Sequence, residues 1–265
     1  MYFSIDILLS HKILIFLSCI AVDGFTSVDS VTLAGITAKN VQFGEVTSES
    51  GLAFLAAQFD GILGMGWPAL SVNQMKPVFF EFFDQGLIAE KSYSFYLSRG
   101  GVEGSSLVLG GVNTAYATTE FKYYPLLADT YWVIALQDVL VNGKSVKPAG
   151  VALKGIVDTG TSVIVGPTDL IANITAQLPS TIDCNNLSQY PTLTFTIGTE
   201  TYDLTPDFYI LKITVLGQTQ CQLGLQGMDL PPQLAGTIIL GDSFIKAYYT
   251  HFDLGNNRVG FAKSK

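Results

Sequence analysis

Short runs of residues that favour β-strands, divided by glycines, dominate this sequence and restrict the folds that it can adopt. Valine, isoleucine, threonine, tyrosine and phenylalanine recur in alternating segments, and 26 glycines separate them. Segments of this kind, spaced by roughly eight to twelve residues, are typical of proteins built mainly from sheets. A chain of 265 residues can bury one large core or two modest ones. The sequence therefore predicts a mostly β protein.

One aspartate stands at the tip of a small polar turn between two apolar runs. Asp158 is followed by Thr159, Gly160 and Thr161. The glycine lets the backbone approach another segment closely, and the two hydroxyls can hold a carboxylate or each other. The pattern predicts a strand, a turn and a second strand, with the carboxylate at the tip. An aspartate that only caps a tight turn has the same local sequence.

The charge balance limits the classes of partner. The chain has 22 acidic and 14 basic residues and a net charge of −8 at neutral pH. This excess of acidic residues argues against nucleic acid as a partner. Only 14% of the residues are charged, and a sparse, acidic set of charges suits an acidic environment, where protonation lowers the net charge.

The first 22 residues differ from the rest of the chain. An apolar run, Ile13–Val22, follows Lys12. A helical membrane span needs about 20 apolar residues, so no stable membrane span is expected. Three alternatives stay open: the apolar core of a secretory signal, a mispredicted start, or a buried strand. Asp6 is atypical for the region that precedes the apolar core of a signal.

Two other motifs suggest different chemistry, but their surroundings argue against it. Gly64–Ala69 has the spacing of a dinucleotide-binding loop, yet it contains Pro68, and no strand–helix–strand unit follows. Gly241–Ser243 has the beginning of a serine-peptidase nucleophile turn, but Phe244 replaces the expected second glycine. With only two histidines in the chain, a Ser–His–Asp triad is disfavoured.

Several segments of the sequence resemble those of pepsin-like aspartic peptidases. Val157–Ser162 (VDTGTS) resembles their active-site signature, and Phe59–Pro68 (FDGILGMGWP) resembles a phrase of their first lobe. The tail from Ile238 onward is similar to their C-terminus. The resemblance extends from about Ala21 to Lys265.

The resemblance implies a mostly β, bilobal pepsin-like acid protease fold with a complete second lobe and a truncated first lobe. Residues 1–22 are then an atypical N-terminus, residues 23–118 a remnant of the first lobe, and residues 119–265 the second, catalytic lobe. We therefore expect unpaired sheet edges and exposed apolar side chains in the first lobe.

The family hydrolyses peptide bonds with two aspartates that share a proton. By resemblance, Asp158 is one of them, and its loop is supported by Thr159 and by the strand Ile239-Leu240-Gly241. Ile62-Leu63-Gly64 is the corresponding support strand for the partner aspartate. The sequence contains one Asp-Thr-Gly and no Asp-Ser-Gly, and Asp60 is expected to hold a turn. We therefore expect little activity from this chain alone.

The resemblance also implies substrate contacts. Gly160 and Thr161 correspond to residues that bind the peptide main chain. The apolar wall of the pocket before the scissile bond corresponds to Phe54, Phe59 and Ile62, and Tyr131 lines the opposite side. The alternative is that these apolar residues belong to an ordinary β core. Polypeptides are the expected substrates, the chain is expected to be a monomer, and no cofactor or metal is implied.

Three alternatives follow for activity. The sequence is an incomplete record of an active endopeptidase, or a catalytically dead homologue that binds peptides or proteins. In the third alternative, two chains each contribute Asp158 to a symmetric pair, as in retroviral peptidases. A second Asp-Thr/Ser-Gly motif encoded in frame upstream of Met1 would decide for the first alternative.

The cysteines and two glycosylation sequons bear on the compartment. By resemblance to the family's second lobe, Cys184 pairs with Cys221, which implies an oxidising compartment. Asn173-Ile-Thr175 and Asn186-Leu-Ser188 have the sequon pattern, which matters only on a secretory route. We therefore expect a secreted or a lysosomal or vacuolar protein.

Overall fold

A computed structural model describes residues 9–17, 20–49, 60–99, 104–179, 181–215 and 218–265 of the chain. Most of its regular elements are strands, which confirms the predicted mostly β class. The chain divides into two compact units, Met1–Lys91 and Ser92–Lys265. The predicted lobe boundary near residue 118 stays a prediction.

The first unit contains a three-stranded antiparallel sheet. Its strands are β1 (Leu9–Leu17), β2 (Ile20–Leu33) and β3 (Ile36–Glu49), in that order. Much of the apolar N-terminal run lies in β1, which pairs with β2 in an antiparallel register that includes Ile13 opposite Gly24. The three alternatives for this run stay predictions, since the structure describes its backbone pairing and not the burial of its side chains.

An α-helix packs on this sheet. Helix α1 (Val78–Asp84) buries Phe79, Phe80 and Phe82, as the apolar spacing of this segment predicts. Gln85, just after the helix, accepts a hydrogen bond from the main-chain N–H of Lys39 in β3 at 2.9 Å and donates one to its carbonyl at 2.8 Å. Short 3-10 helices cover Pro68–Leu70 and Val72–Gln74.

The segment Ile62-Leu63-Gly64 is not a strand in this structure, so the prediction of a support strand there was wrong. These residues have no regular secondary structure, and the Ile62 side chain is 67% exposed. Among the described residues, no other strand pairs with this segment. Apolar residues with a high β-propensity do not form a strand unless a neighbouring strand satisfies their backbone groups.

The described residues of the second unit form sixteen strands and three α-helices. The strands are β4 (Ser92–Tyr96), β5 (Ser106–Leu109), β6 (Lys122–Pro125), β7 (Val133–Leu136), β8 (Asp138–Val141), β9 (Lys144–Ser145), β10 (Leu153–Val157), β11 (Ile164–Gly166), β12 (Leu193–Ile197), β13 (Glu200–Leu204), β14 (Ile210–Val215), β15 (Gln218–Leu223), β16 (Leu225–Gly227), β17 (Thr237–Leu240), β18 (Tyr248–Asp253) and β19 (Arg258–Lys263). The helices are α2 (Thr168–Thr175), α3 (Pro206–Tyr209) and α4 (Asp242–Ala247). Short 3-10 helices cover Thr114–Tyr116, Leu187–Gln189, Pro232–Leu234 and Leu254–Asn256.

In the part of the chain that the structure describes, these strands form four sheets. The sheet that carries the candidate site has the order β16-β11-β17-β10-β7. A second has the order β13-β12-β8-β9, and β14 pairs with β15. The fourth sheet has the order β5-β4-β18-β19-β6, so residues that we had assigned to the first lobe pair with the C-terminal hairpin. The Tyr93 ring in β4 stacks on the Phe252 ring of β18 with centroids 4.9 Å apart.

The resemblance correctly implies the disulfide. Cys184 and Cys221 are bonded, with Cα atoms 5.4 Å apart. Closing a loop of this size contributes about 4 kcal/mol in the loop-entropy estimate. Among the helices of the described residues, none is both long and apolar enough to cross a membrane.

Candidate active site

The strand that leads into Asp158 is central in its sheet. Strand β10 pairs in parallel with β17, with Ile156 opposite Ile239 and Val157 opposite Leu240. On its other side β10 pairs with β7. Asp158 follows directly after β10, and its main-chain N–H donates to the Leu240 carbonyl at 3.2 Å. The residues predicted to support this loop therefore lie beside it.

Both carboxylate oxygens of Asp158 accept hydrogen bonds from its own turn. The N–H of Gly160 donates to Oδ1 at 2.9 Å, and the hydroxyl of Thr161 donates to Oδ2 at 2.6 Å. The Asp158 side chain is half-buried, and Gly160 is exposed. The two donors fix the orientation of the carboxylate, since each of its oxygens has a separate partner. One face of the turn remains accessible to solvent.

Gly241 allows the support strand to approach this turn. A Cβ at this position would lie 2.2 Å from the Thr161 carbonyl oxygen and 2.4 Å from that of Val163. The next residue, Asp242, donates its N–H to the Thr161 carbonyl at 2.7 Å. Ser243 donates both its N–H and its hydroxyl to the Ser162 carbonyl, each at 3.3 Å. The turn and the start of α4 are therefore held together by main-chain contacts.

Thr159, which we expected to support the loop, does not do so in the structure. Its side chain is exposed, and in the part of the chain that the structure describes its hydroxyl makes no hydrogen bond. The residue after the aspartate points out of the turn, whereas Thr161, three positions after it, points back toward the carboxylate. Thr161 therefore supplies the hydroxyl.

Asp242 is a titratable neighbour that the sequence analysis missed. Burial is the main reason that the pKa of the Asp242 carboxyl is raised to about 6; Lys246 acts to lower this pKa, and the negative charge of Asp158 acts to raise it. The sequence contains a signal for this neighbour. Asp242 directly follows an apolar run and Gly241, so it begins its helix beside the loop that the strand supports. The site thus combines an oriented carboxylate with a second acid within electrostatic range.

Tyr131 lies near the strand that carries Asp158. The Val157 N–H donates to the carbonyl of Trp132 at 3.0 Å, which fixes the segment just before β7 against the end of β10. Trp132 is 6% exposed, whereas Tyr131 is 40% exposed. Tyr131 therefore presents an accessible aromatic side chain on a segment bonded next to Asp158.

The structure does not test the other predicted substrate residues. Phe54 and Phe59 lie outside the described residues, and Ile62 belongs to the first unit. Their role in substrate binding stays a prediction. Within the described ranges, no group of three or more His, Cys, Asp or Glu side chains has the geometry to hold a metal ion.

Comparison with known proteins identifies the class. A family profile described as "Eukaryotic aspartyl protease" matches residues 10–264, which begins earlier than the resemblance drawn from the motifs. Cathepsin D of Dictyostelium discoideum is 39% identical over 251 residues, covering 91% of this chain and 65% of the relative. Human cathepsin D is 40% identical over 88% of this chain and 58% of the relative. Pepsin A of Sus scrofa is 37% identical over 90% of this chain and 63% of the relative.

The fold is mostly β, and the family profile and the relatives point to one family. The chain belongs to the eukaryotic aspartyl protease family. It spans about two thirds or less of the length of the relatives that it matches.

Proposed function

We propose that this chain provides one half of the catalytic site of an aspartic endopeptidase, with Asp158 as one of two catalytic aspartates. The observation that carries the proposal is the Asp158 turn. Its carboxylate is oriented by Gly160 and Thr161 at the end of a central strand, in a chain that belongs to this family. An aspartate that merely capped a turn would not need a neighbouring segment packed against that turn as closely as Gly241 is packed against this one.

Peptide hydrolysis by this mechanism needs two carboxyl groups in different protonation states. Two carboxylates that share a site cannot both ionise readily, so one stays protonated. The ionised group takes a proton from the attacking water, while the protonated group donates its proton to the carbonyl oxygen of the scissile bond. Asp158 alone can perform either step but not both at once. We therefore expect little or no peptidase activity from these 265 residues by themselves.

The partner carboxylate must come from a second Asp-Thr-Gly or Asp-Ser-Gly loop. The segment Ile62-Leu63-Gly64 is the part of this chain that would receive it, because it has the same triplet as Ile239-Leu240-Gly241. Ile62 and Gly64 are exposed, and a Cβ on Gly64 meets nothing within 4 Å. A second loop could therefore pack against this glycine without displacing other atoms. Polypeptides are the proposed substrates, with Tyr131, Gly160 and Thr161 in contact with them.

The Cys184–Cys221 disulfide supports a secretory route, because such bonds persist in oxidising compartments. We propose a secreted or a lysosomal or vacuolar location on this basis.

The second candidate function is binding without catalysis. The single Asp-Thr-Gly in the sequence favours it, because a dead homologue can keep the support of Asp158 and an accessible Tyr131. In that case the chain would bind peptides or proteins with no turnover. A symmetric pair of chains, each contributing Asp158, is the third candidate, and its activity would rise with the square of the chain concentration at low concentration.

The test is hydrolysis of an unfolded protein at about pH 4, where one carboxyl of such a pair is protonated. The chain is assayed alone and joined to a family-like first segment that carries Asp-Thr-Gly. Only the joined protein should cleave, and a transition-state-mimicking hydroxyl inhibitor should block it. Asp158→Asn in the joined protein should lower the rate by about 10²–10⁴-fold or more.

The controls separate the candidates. Asp242→Asn changes a neighbouring carboxyl without removing Asp158, so it should retain cleavage. Inhibitor-sensitive cleavage by the 265-residue chain purified as a monomer would contradict the need for a second aspartate. Peptide binding by the joined protein with no cleavage at any concentration would support the second candidate instead.

A further inference from the structure

Two glycosylation sequons lie in the second unit, and the peptidase function uses neither. Asn173 is in helix α2, and Asn186 stands just before the 3-10 helix Leu187–Gln189. Both asparagine side chains are exposed, so neither glycan would have to enter a core. Exposure alone does not distinguish them, but their local geometry does.

The two side chains of the Asn186 sequon face each other. The Ser188 hydroxyl donates to Oδ1 of Asn186 at 2.9 Å. The acceptor pattern requires a Ser or Thr two residues after the asparagine, in a surface loop, and in this turn that hydroxyl lies beside the acceptor amide. In the part of the chain that the structure describes, Nδ2 of Asn186 donates no hydrogen bond. The nitrogen that would carry a glycan is therefore available.

The Asn173 sequon has the opposite arrangement. Thr175 donates its hydroxyl to the carbonyl of Ala172 at 3.1 Å, within the backbone of α2. Residues two positions apart on a helix point to different sides, so the hydroxyl of Thr175 is turned away from the Asn173 amide. The folded helix therefore lacks the pairing found at Asn186.

The surroundings of Asn186 tolerate a large substituent. Of residues 181–190, only Tyr190 is buried. The Tyr190 hydroxyl anchors this loop, because it accepts from the Asp183 N–H at 2.6 Å and donates to the Thr181 carbonyl at 3.1 Å. The disulfide of Cys184 is a second anchor, two residues before Asn186. Neither anchor involves the Asn186 side chain, so a glycan there leaves both in place.

We propose that Asn186 carries an N-linked glycan. The donor class is an oligosaccharide linked through pyrophosphate to a membrane lipid. Nδ2 of Asn186 forms a bond to C1 of the first sugar, the bond between C1 and the pyrophosphate oxygen breaks, the lipid pyrophosphate leaves, and the amide loses one proton. This modification does not depend on the proteolytic activity, but it does depend on the proposed secretory route.

The test is peptide mapping of the secreted protein. The full protein, from its natural source or from a eukaryotic secretory host, is digested with and without a peptide amidase that releases N-glycans and converts the carrier asparagine to aspartate. We expect that conversion at Asn186. Ser188→Ala should abolish it, whereas Ser188→Thr, which keeps the hydroxyl, should retain it. Asn173→Gln is the matched control and should leave the glycan of Asn186 unchanged.

Mapping under non-reducing conditions identifies the cause of a negative result. An unmodified Asn186 in chains whose Cys184–Cys221 disulfide has formed would overturn the glycan proposal while leaving the secretory route intact. An unmodified Asn186 in chains with reduced cysteines would overturn both. Neither result would bear on cleavage by Asp158.

Discussion

Two segments of this chain have the same sequence pattern and different structures. Ile239-Leu240-Gly241 and Ile62-Leu63-Gly64 share the triplet Ile-Leu-Gly. In the second unit, Ile239 and Leu240 lie in β17, between β10 and β11, and Leu240 is 0% exposed. In the first unit the triplet has no regular structure, and Ile62 is 67% exposed.

A strand forms at this triplet only where neighbouring strands pair with it. Strand β17 has a neighbour on each side, and its Leu240 carbonyl accepts the N–H of Asp158. Among the described residues, nothing of this kind pairs with Ile62–Gly64. An Asp loop and its support strand thus stabilise each other, and either one alone lacks half of the backbone hydrogen bonds.

The largest difference in unfolding free energy between the two triplets is expected when their leucines are replaced. Leu240→Ala removes a fully buried side chain and should cost about 3–5 kcal/mol of unfolding free energy. Leu63→Ala, at a half-buried position, should cost about 1 kcal/mol. The measurement is urea unfolding followed by tryptophan fluorescence. The two tryptophans, Trp67 and Trp132, lie in different units, so Trp67→Phe or Trp132→Phe in each background leaves one reporter. Equal losses for the two leucines would contradict the comparison.

The second-largest difference in unfolding free energy is expected when the glycines of the two triplets are replaced by alanine. In Gly241→Ala the new methyl group would lie 2.2 Å from the Thr161 carbonyl oxygen, so the main chain must move, at a cost of about 2–3 kcal/mol. In Gly64→Ala the methyl group meets nothing within 4 Å. That change should be neutral or stabilise the first unit by about 0.5 kcal/mol. A stable Gly241→Ala protein with unchanged unfolding would show that the turn and the strand are not in close contact.

A smaller effect is expected from the hydroxyl that holds Asp158. Thr161→Val removes the donor to Oδ2 with little change of volume and should cost about 1–2 kcal/mol. Thr159→Val, at an exposed position, should change the unfolding free energy by less than about 0.5 kcal/mol. Thr161→Ser keeps the donor and should recover most of the loss. If Thr159→Val cost more than Thr161→Val, our original assignment of the supporting residue would be restored.

The smallest expected effect is a pH dependence of the unfolding free energy, caused by Asp242 at the start of α4. The pKa of Asp242 is raised from 3.8 to about 6, mainly by burial, while Lys246 acts to lower it and the charge of Asp158 acts to raise it. The folded state therefore favours the protonated carboxyl. Its stabilising contribution is complete below the unfolded value of 3.8 and is lost as the pH rises through about 6. After allowance for solvent screening, this amounts to about 1 kcal/mol.

The measurement compares urea unfolding at about pH 4 and about pH 7, on either side of this titration, with Trp132 as the reporter. Asp242→Asn should remove the loss of stability between the two values. Asp253→Asn is the control. Burial raises the pKa of Asp253, but hydrogen bonds from Asn256 and Arg258 outweigh it and hold that pKa below its usual value of 3.8. The native Asp253 therefore loses its contribution mainly below this range of pH, and Asp253→Asn should leave the change between the two pH values nearly unaltered. An unchanged pH dependence in Asp242→Asn would contradict the role assigned to its burial.

Several elements could be predicted because their signals are local. The helix at Val78–Asp84 has apolar spacing and a glycine at its end, Gly86, with a φ of 69°. The Asn142–Gly143 pair forms the turn between β8 and β9, with φ angles of 48° and 75°. The Asp158 turn itself was also read correctly as strand, turn and strand. In each case, neighbouring residues set the backbone conformation without help from distant ones.

Other features depended on residues far apart in sequence. Nothing in the composition of Ser92–Leu109 indicates that β4 would pair with β18, more than 150 positions away. Thr161, and not Thr159, donates to the Asp158 carboxylate, and the carbonyl of Thr161 lies against Gly241, 80 positions later in the sequence. The raised pKa of Asp242 required its burial beside Asp158.

By itself, the sequence determined the β class, the family and the identity of the aspartate in its turn, because periodicity, turn residues and short motifs act over a few positions. Only the tertiary structure decided which of two Ile-Leu-Gly segments became a strand, which threonine holds the carboxylate and which acid lies beside it. Backbone pairing and burial decide those outcomes, and both depend on a partner segment that the local sequence does not contain.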